Sequence, residues 1–163
     1  MYRYQKGVGL VEVLVSLVLL AVAVLGFTAM QLRAVTASIE SANNVQATTL
    51  ARDLGERMRA NRAGFKNYID KPPASPKTDC NSTPCTPADI ATFDYAQVGR
   101  KATAAGMSMN IVTCPRSTLS RKCILVAWDE TSPTVGDSKP HCVNATASYV
   151  TGSKCIMMET YNQ

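Results

Sequence analysis

Val13–Met30 is a run of 18 residues without a charge, mostly Leu, Val and Ala. As a helix it approaches the roughly 20 residues that cross a bilayer. The chain, at 163 residues, has room for one domain with one appended element. The run is therefore predicted to be a membrane anchor, with the polar remainder as a head. Arg3 and Lys6 precede it, which predicts a cytoplasmic N-terminus and an outward-facing remainder. Arg33 on the far side weakens that bias without reversing it. An ordinary secretory signal is disfavoured, because the run exceeds an h-region of about 7–15 residues and no small-residue cleavage site follows.

The net charge is +5, and without Arg3 and Lys6 it falls to +3. That charge is too weak and too mixed for a nucleic-acid face, so no nucleic-acid partner is expected. All six cysteines, Cys80, Cys85, Cys114, Cys123, Cys142 and Cys155, follow the apolar run. An even number on one side of an anchor predicts disulfides in an oxidising compartment. Zinc is the competing reading, but no CxxC occurs and the single histidine, His141, stands beside Cys142 rather than in a ligand pair.

Glu12 breaks the apolar character at its start. A carboxylate costs roughly 2.5–3.5 kcal/mol at a bilayer centre and less near the interface. It either sits at headgroup level or awaits a positive partner, and charge alone leaves both open. The surrounding residues add more. Lys6-Gly7 followed by Val8-Gly9-Leu10-Val11-Glu12-Val13-Leu14-Val15 resembles the class III prepilin signal: a short basic leader ending in Gly, an apolar stretch, and Glu five residues past the cut. A cut after Gly9 would put Glu12 third instead, so Gly7 is the better site. The resemblance implies cleavage between Gly7 and Val8 by a prepilin peptidase and N-methylation of Val8. It also implies that a neighbouring subunit's amine neutralises Glu12 in the filament core. In one respect the chain departs from the family: the proline usual in major pilins is replaced by Ala29, with Gly26 the nearest point of local weakness.

Helix-favouring residues continue from Met30 to Ala63, with no proline before Pro72. Val35, Ile39, Ala42, Val45, Leu50, Leu54, Met58 and Phe65 recur at intervals that approximate one helical face. A continuous helix from about Val8 to Ala63 is expected, apolar all round in its first half and laying one stripe on the head in its second. The run Arg52–Arg62 is densely charged, with Arg52–Glu56 and Asp53–Arg57 at i, i+4. Such a run is ordinarily a solvated face. Its pattern Asp53…Glu56-Arg57-Met58-Arg59-Ala60-Asn61 also resembles that of PilV-type minor pilins, and with the leader the likeness covers roughly residues 1–65.

Residues 67–88 hold Pro72, Pro73, Pro76, Pro84, Pro87 and the Cys80–Cys85 pair, and read as a loop. A short helix is predicted next, capped by Thr86, with Pro87 in its first turn, Asp89 at its N-terminus and Gly106 at its end. Ser108–Thr113, Cys123–Trp128, Ala147–Thr151 and Lys154–Tyr161 read as strands. Gly152-Ser153 reads as a type II′ hairpin turn between the last two. The expected fold is α+β: a long N-terminal helix packed on a small antiparallel, disulfide-containing head. Its parts are a leader (1–7), a membrane or filament-core half-helix (8–30), an amphipathic half-helix (31–65) and a globular head (66–163). Six cysteines leave many pairings open. Cys114–Cys123 would close the Pro115–Lys122 loop and Cys80–Cys85 a tighter one. Cys142–Cys155 follows by exclusion, although the Gly152-Ser153 hairpin would set Val150 opposite Cys155.

No catalytic constellation is found: one histidine, no triad spacing and no Gly-rich phosphate loop. No enzyme activity, cofactor, metal or small-molecule substrate is expected. Asp129-Glu130 reads as a turn signal rather than an acid–base couple, and Trp128 as core or subunit interface. Asn81-Ser82-Thr83 and Asn144-Ala145-Thr146 match a glycosylation sequon, and the bacterial character of the leader discounts both.

The favoured reading is a PilV-like minor pilin of a type IV pilus, which the resemblance associates with twitching motility. By resemblance it would co-assemble with other minor pilins and the major pilin through an inner-membrane assembly platform. It would prime assembly or sit at the tip, starting in the inner membrane with its head in the periplasm and ending at the cell surface. The alternatives are a minor pseudopilin of a type II secretion system, and a tip adhesin or DNA-binding module on a pilin stem.

Overall fold

The computed structural model describes residues 9–76, 78–117 and 121–161. The chain divides into two compact units between Ser41 and Ala42.

Helix α1, Leu10–Ala60, runs without interruption through Gly26 and Ala29. Its first residues are exposed on all sides, Leu10 by 77%. Ser16 Oγ donates to Glu12 O at 2.7 Å and Thr28 Oγ1 to Val24 O at 2.6 Å. The hydroxyls in this stretch are thus satisfied by the helix's own backbone. Such a helix meets its polar needs internally, the condition for lying in hydrocarbon.

Burial along α1 begins at Ala47 and then recurs at Leu50, Ala51, Leu54, Gly55 and Met58. The alternation of three- and one-residue steps is the stripe of an amphipathic helix. It starts later than the sequence periodicity suggests. Val35 and Ile39 are each 56% exposed, Val45 is 66% exposed, and Ala42 is exposed as well. The expected stripe is right only from Leu50 onward, because apolar spacing marks a face without marking where a partner covers it.

The helix also ends earlier than Ala63. A 3-10 helix, η1 (Arg62–Asn67), follows, capped by Asn61, whose side chain accepts from the Gly64 amide. Residues 68–86 are mostly irregular, apart from an isolated bridge between Asp70 and Ile111. Helix α2, Pro87–Ala104, then starts as expected. Thr86 and Asp89 form a reciprocal capping box and Pro87 occupies the first turn. Gly106 at φ +71° takes the left-handed position just past the end.

The head's main sheet is antiparallel, with β1 (Met107–Thr113), β2 (Lys122–Trp128) and β5 (Cys155–Thr160) in the order β1-β2-β5. One face carries Met107, Met109, Ile111, Ile124, Val126 and Trp128 against the buried stripe of α1 and against Ala91, Tyr95, Val98 and Ala102 of α2. Leu125 and Ala127 form a second cluster with Cys142, Val143 and Cys155. Covered on both faces, β2 is the centre of the head, which explains its unbroken apolar run Cys123–Trp128.

The expected strand Ala147–Thr151 is not formed. The Asn144 carboxamide oxygen accepts from the amides of Thr146 and Ser148 and from the Thr146 hydroxyl, folding the backbone into a turn. Ala147 accordingly sits at φ +63°. Only Tyr149 bridges, to Val143. Nor are Gly152-Ser153 the centre of a type II′ turn. Ser153 N donates to Val150 O at 2.9 Å, which places Gly152, at φ +73°, third in the turn. A small two-stranded sheet is formed instead by β3 (Ser132–Val135) and β4 (His141–Val143), which pair in parallel.

Three disulfides are present: Cys80–Cys85, Cys114–Cys123 and Cys142–Cys155. With no hairpin over residues 147–161, Val150 does not occupy the position opposite Cys155. Val150 N instead donates to Cys142 O, and Cys142 and Cys155 lie 5.8 Å apart at Cα.

Candidate functional site

Gly7 and Val8, the expected cleavage and methylation site, lie outside the described residues. Glu12 is in the first turn of α1, where a carboxylate complements the helix dipole. Its amide donates to Gly9 O at 2.9 Å, which starts the helix. Between Leu10 and Met30 it is the one ionisable side chain. The side chains around it, including Val11, Val13, Leu14 and Val15, are all exposed. An apolar surface of that extent is far beyond what a water-soluble chain leaves open, and it marks a membrane or subunit contact.

The charged run at the end of α1 does more than solvate a face. Arg57 Nε donates to Asp53 Oδ1 at 2.7 Å, the expected i, i+4 pair. Its Nη1 reaches across to α2, to Asp94 Oδ1 at 2.8 Å and Gln97 Oε1 at 3.2 Å. The other oxygen of Asp94 accepts from Tyr68 OH at 3.0 Å, and the other oxygen of Asp53 from Lys101 Nζ at 2.8 Å. Acid and base thus alternate through Lys101, Asp53, Arg57 and Asp94, and they clamp α2 to α1. Glu56 pairs with Arg59 at i, i+3 rather than with Arg52.

Asn61 completes the joint: its Oδ1 caps η1 while its Nδ2 donates to Pro87 O at 2.7 Å and approaches Tyr68 OH at 3.4 Å. Met58 between them is fully buried. Four residues of the PilV-like pattern, Asp53, Arg57, Met58 and Asn61, therefore attach the helix to the head.

The electrostatics follow the geometry. Partial burial opposes the charge on Asp53, but hydrogen bonds and charge from Arg57 and Lys101 outweigh it and hold its pKa below the ordinary value. Burial likewise opposes the charge on Arg57, and Asp53 and Asp94 more than restore it. Burial, reinforced by Asp94, pushes the Tyr68 phenol up, so it stays a donor to that carboxylate. On the other side of η1, Lys122 donates to Lys66 O at 3.1 Å and to Tyr68 O, with its ammonium 5.5 Å from the Phe65 ring centre. Burial lowers its pKa.

The partners Tyr68, Asp94, Gln97 and Lys101 escape sequence reasoning. Asp94 is 37 residues from Arg57, and no local spacing announces such a pair. Asp129 pairs with Lys154 at 2.6 Å and lines an open cleft of about 730 Å³ with Glu130, Thr131, Lys139, Pro140 and Gly152. His141 Nδ1 shares a hydrogen bond with Thr134 Oγ1 at 2.8 Å. Trp128 is buried in the core. Among the described residues no group of His, Cys, Asp and Glu is placed to hold a metal ion.

Two family models match the chain. Residues 2–28 match the prokaryotic N-terminal methylation motif, and residues 29–96 match the Tt1218-like type IV pilin family. The second match ends within α2, just past Asp94, so it takes in Asp53, Arg57, Asn61, Tyr68 and Asp94 of the α1–α2 joint but not Gln97 or Lys101. No curated protein and no solved structure matches the chain at a significant level. A long N-terminal helix on a small antiparallel sheet with three disulfides is a pilin-like α+β fold, and the two matches place the likeness of its first 96 residues with type IV pilins and their methylated N-termini.

Proposed function

We propose that the chain is a minor pilin of the PilV type, cut after Gly7, N-methylated on Val8 and built into the base-to-tip core of a type IV pilus through α1. The observation that carries this reading is the first half of α1. It exposes apolar side chains all round while offering a single carboxylate, Glu12, in its first turn. In the membrane the helix anchors the subunit in the inner membrane. In the filament the same surface packs against neighbouring helices, and Glu12 meets the amine of an adjacent subunit. The product is a priming or tip subunit that acts by co-assembly with other minor pilins, not by catalysis.

The test is mass spectrometry of the N-terminal peptide in sheared surface filaments and in the inner membrane, for the native chain and for Glu12→Ala. An N-methylated chain starting at Val8 in the sheared fraction supports the reading. The Glu12→Ala chain should be processed normally yet be depleted from filaments. Normal incorporation of that variant would overturn the charge-pairing role. A processed chain confined to the membrane, together with loss of protein secretion on deletion, would instead favour a pseudopilin.

A further inference from the structure

The two Asn-x-Ser/Thr sequons, equivalent in sequence, are not equivalent in structure. At Asn144 the carboxamide oxygen is used three times over, by the amides of Thr146 and Ser148 and by the Thr146 hydroxyl. Asn144 is half-buried and follows the buried Cys142 and Val143. Engaging it from outside would undo the turn that carries the chain from β4 towards Gly152.

At Asn81 the situation is reversed. Cys80 and Cys85 close a small loop whose intervening residues, Asn81, Ser82, Thr83 and Pro84, are all exposed. The other polar groups of the loop are turned inward. Ser82 and Thr83 donate to Asp79 O through both their amides and their hydroxyls, and the Asn81 amide donates to Asp79 Oδ1 at 3.0 Å. Among the described residues the Asn81 carboxamide makes no such bond, and Asn81 is exposed, while the same group of Asn61 and Asn144 is spent on structure. None of the four loop residues is buried, so an adduct on Asn81 would displace no packed side chain of the loop.

We propose that Asn81, although the bacterial character of the leader discounts its sequon, is a modification site for an N-linked glycan, because the exposed loop sets it apart from Asn144. The donor class is an oligosaccharide carried on a lipid pyrophosphate, supplied outside the inner membrane. In the transfer, Asn81 Nδ2 forms a bond to the anomeric carbon and that carbon's bond to the pyrophosphate oxygen breaks. The lipid pyrophosphate leaves with the electron pair, and one Nδ2 proton passes to a base. The sequon hydroxyl of Thr83 is held at 2.9 Å from Asp79 O, and it is released from that bond when a transferase reads it. The proposal rests on the outward placement of the head in the pilin reading.

The test is mass spectrometry of the full-length protein recovered from the cells that make it, read at the peptide Thr78–Arg100 and at the N-terminus together. A sugar-mass adduct on Thr78–Arg100 is expected in the native chain and in Ser82→Ala, and none on the peptide that contains Asn144. The adduct should vanish in Asn81→Gln and in Thr83→Ala. An unmodified Asn81 in a chain that starts at N-methylated Val8 overturns this proposal and leaves the pilin reading intact. An adduct that persists in Asn81→Gln also overturns it, because the sugar would then be on a hydroxyl. A chain still starting at Met1 would instead sink the pilin reading, whatever its glycan.

Discussion

The Arg57 guanidinium joins two carboxylates on different helices, Asp53 at 2.7 Å and Asp94 at 2.8 Å. Both Arg57 and Asp94 are mostly shielded from water, with side-chain exposures of 27% and 15%. Removing the arginine leaves Asp94, among the described residues, with the Tyr68 OH, and truncating one partner of such a pair costs more than the pair contributes. Arg57→Ala should destabilise the head by about 2 kcal/mol. Arg57→Lys should recover only part of this, since an ammonium cannot span both acids with a fixed fork. Denaturant titration of the full chain in detergent, followed by tryptophan fluorescence from Trp128, would measure both.

Asp53 gives the joint a dependence on pH with a definite sign. Its pKa in the fold lies below the ordinary 3.8, because Arg57 and Lys101 outweigh the effect of burial. The stability it contributes is therefore complete above that ordinary value and is lost as pH falls below it through the folded-state pKa. Asp53→Asn should be less stable than the native chain at neutral pH, and the gap should narrow in acid below about pH 4. Thermal melts at several pH values would show the two curves converging, whereas parallel curves would contradict the linkage.

Gly64 lies where η1 passes under the start of α2. A Cβ built there would sit 2.2 Å from Pro87 O, a backbone atom with little freedom to move. Gly64→Ala should cost roughly 1–3 kcal/mol as an overpacked contact. Gly26→Ala, in open space, should leave the head's stability unchanged. The pair of variants separates a local clash from a general effect of replacing glycine.

The disulfides should differ in accessibility. Cys114, Cys123, Cys142 and Cys155 are all buried, while Cys80 and Cys85 are half-buried around an exposed loop. Under mild reductant with an alkylating trap, Cys80 and Cys85 should be labelled first, by about tenfold or more, because reaching the others requires opening the core. Peptide mapping over a time course would record the order.

Local chemistry was the legible part of this fold. Thr86, Pro87 and Asp89 announce the start of α2 because a cap is built from residues three apart. Cys123–Trp128 and Ser108–Thr113 declare themselves by β-rich runs, each one residue short of the strand that forms. The misreadings share a cause, which is that the deciding partner is a side chain or a distant element. Residues 147–151 have the composition of a strand, yet the carboxamide of Asn144 captures the backbone first. The pattern from Val35 onward gives a correct helical face but not the point where burial begins, at Ala47. Strand β3 contains Pro133 and pairs in parallel with a strand of three residues, a combination that leaves no period to detect. For the candidate site, the leader pattern singles out Glu12, which lies in the first turn of α1. The α1–α2 joint was half visible: Asp53, Arg57 and Asn61 stood out as a pattern, while their partners on α2 did not.

Ser16 and Thr28 turn their hydroxyls back onto the carbonyls one turn below. From Leu10 to Met30 the helix therefore presents its neighbours with a lubricated rod, free of hydrogen-bonding teeth. Apart from Glu12, contacts between such rods are made by dispersion alone, with no charge or hydrogen bond to mark a position along the axis. On the proposed reading, Glu12 is the one graduation on the rod, the mark from which each subunit's rise past the last would be counted.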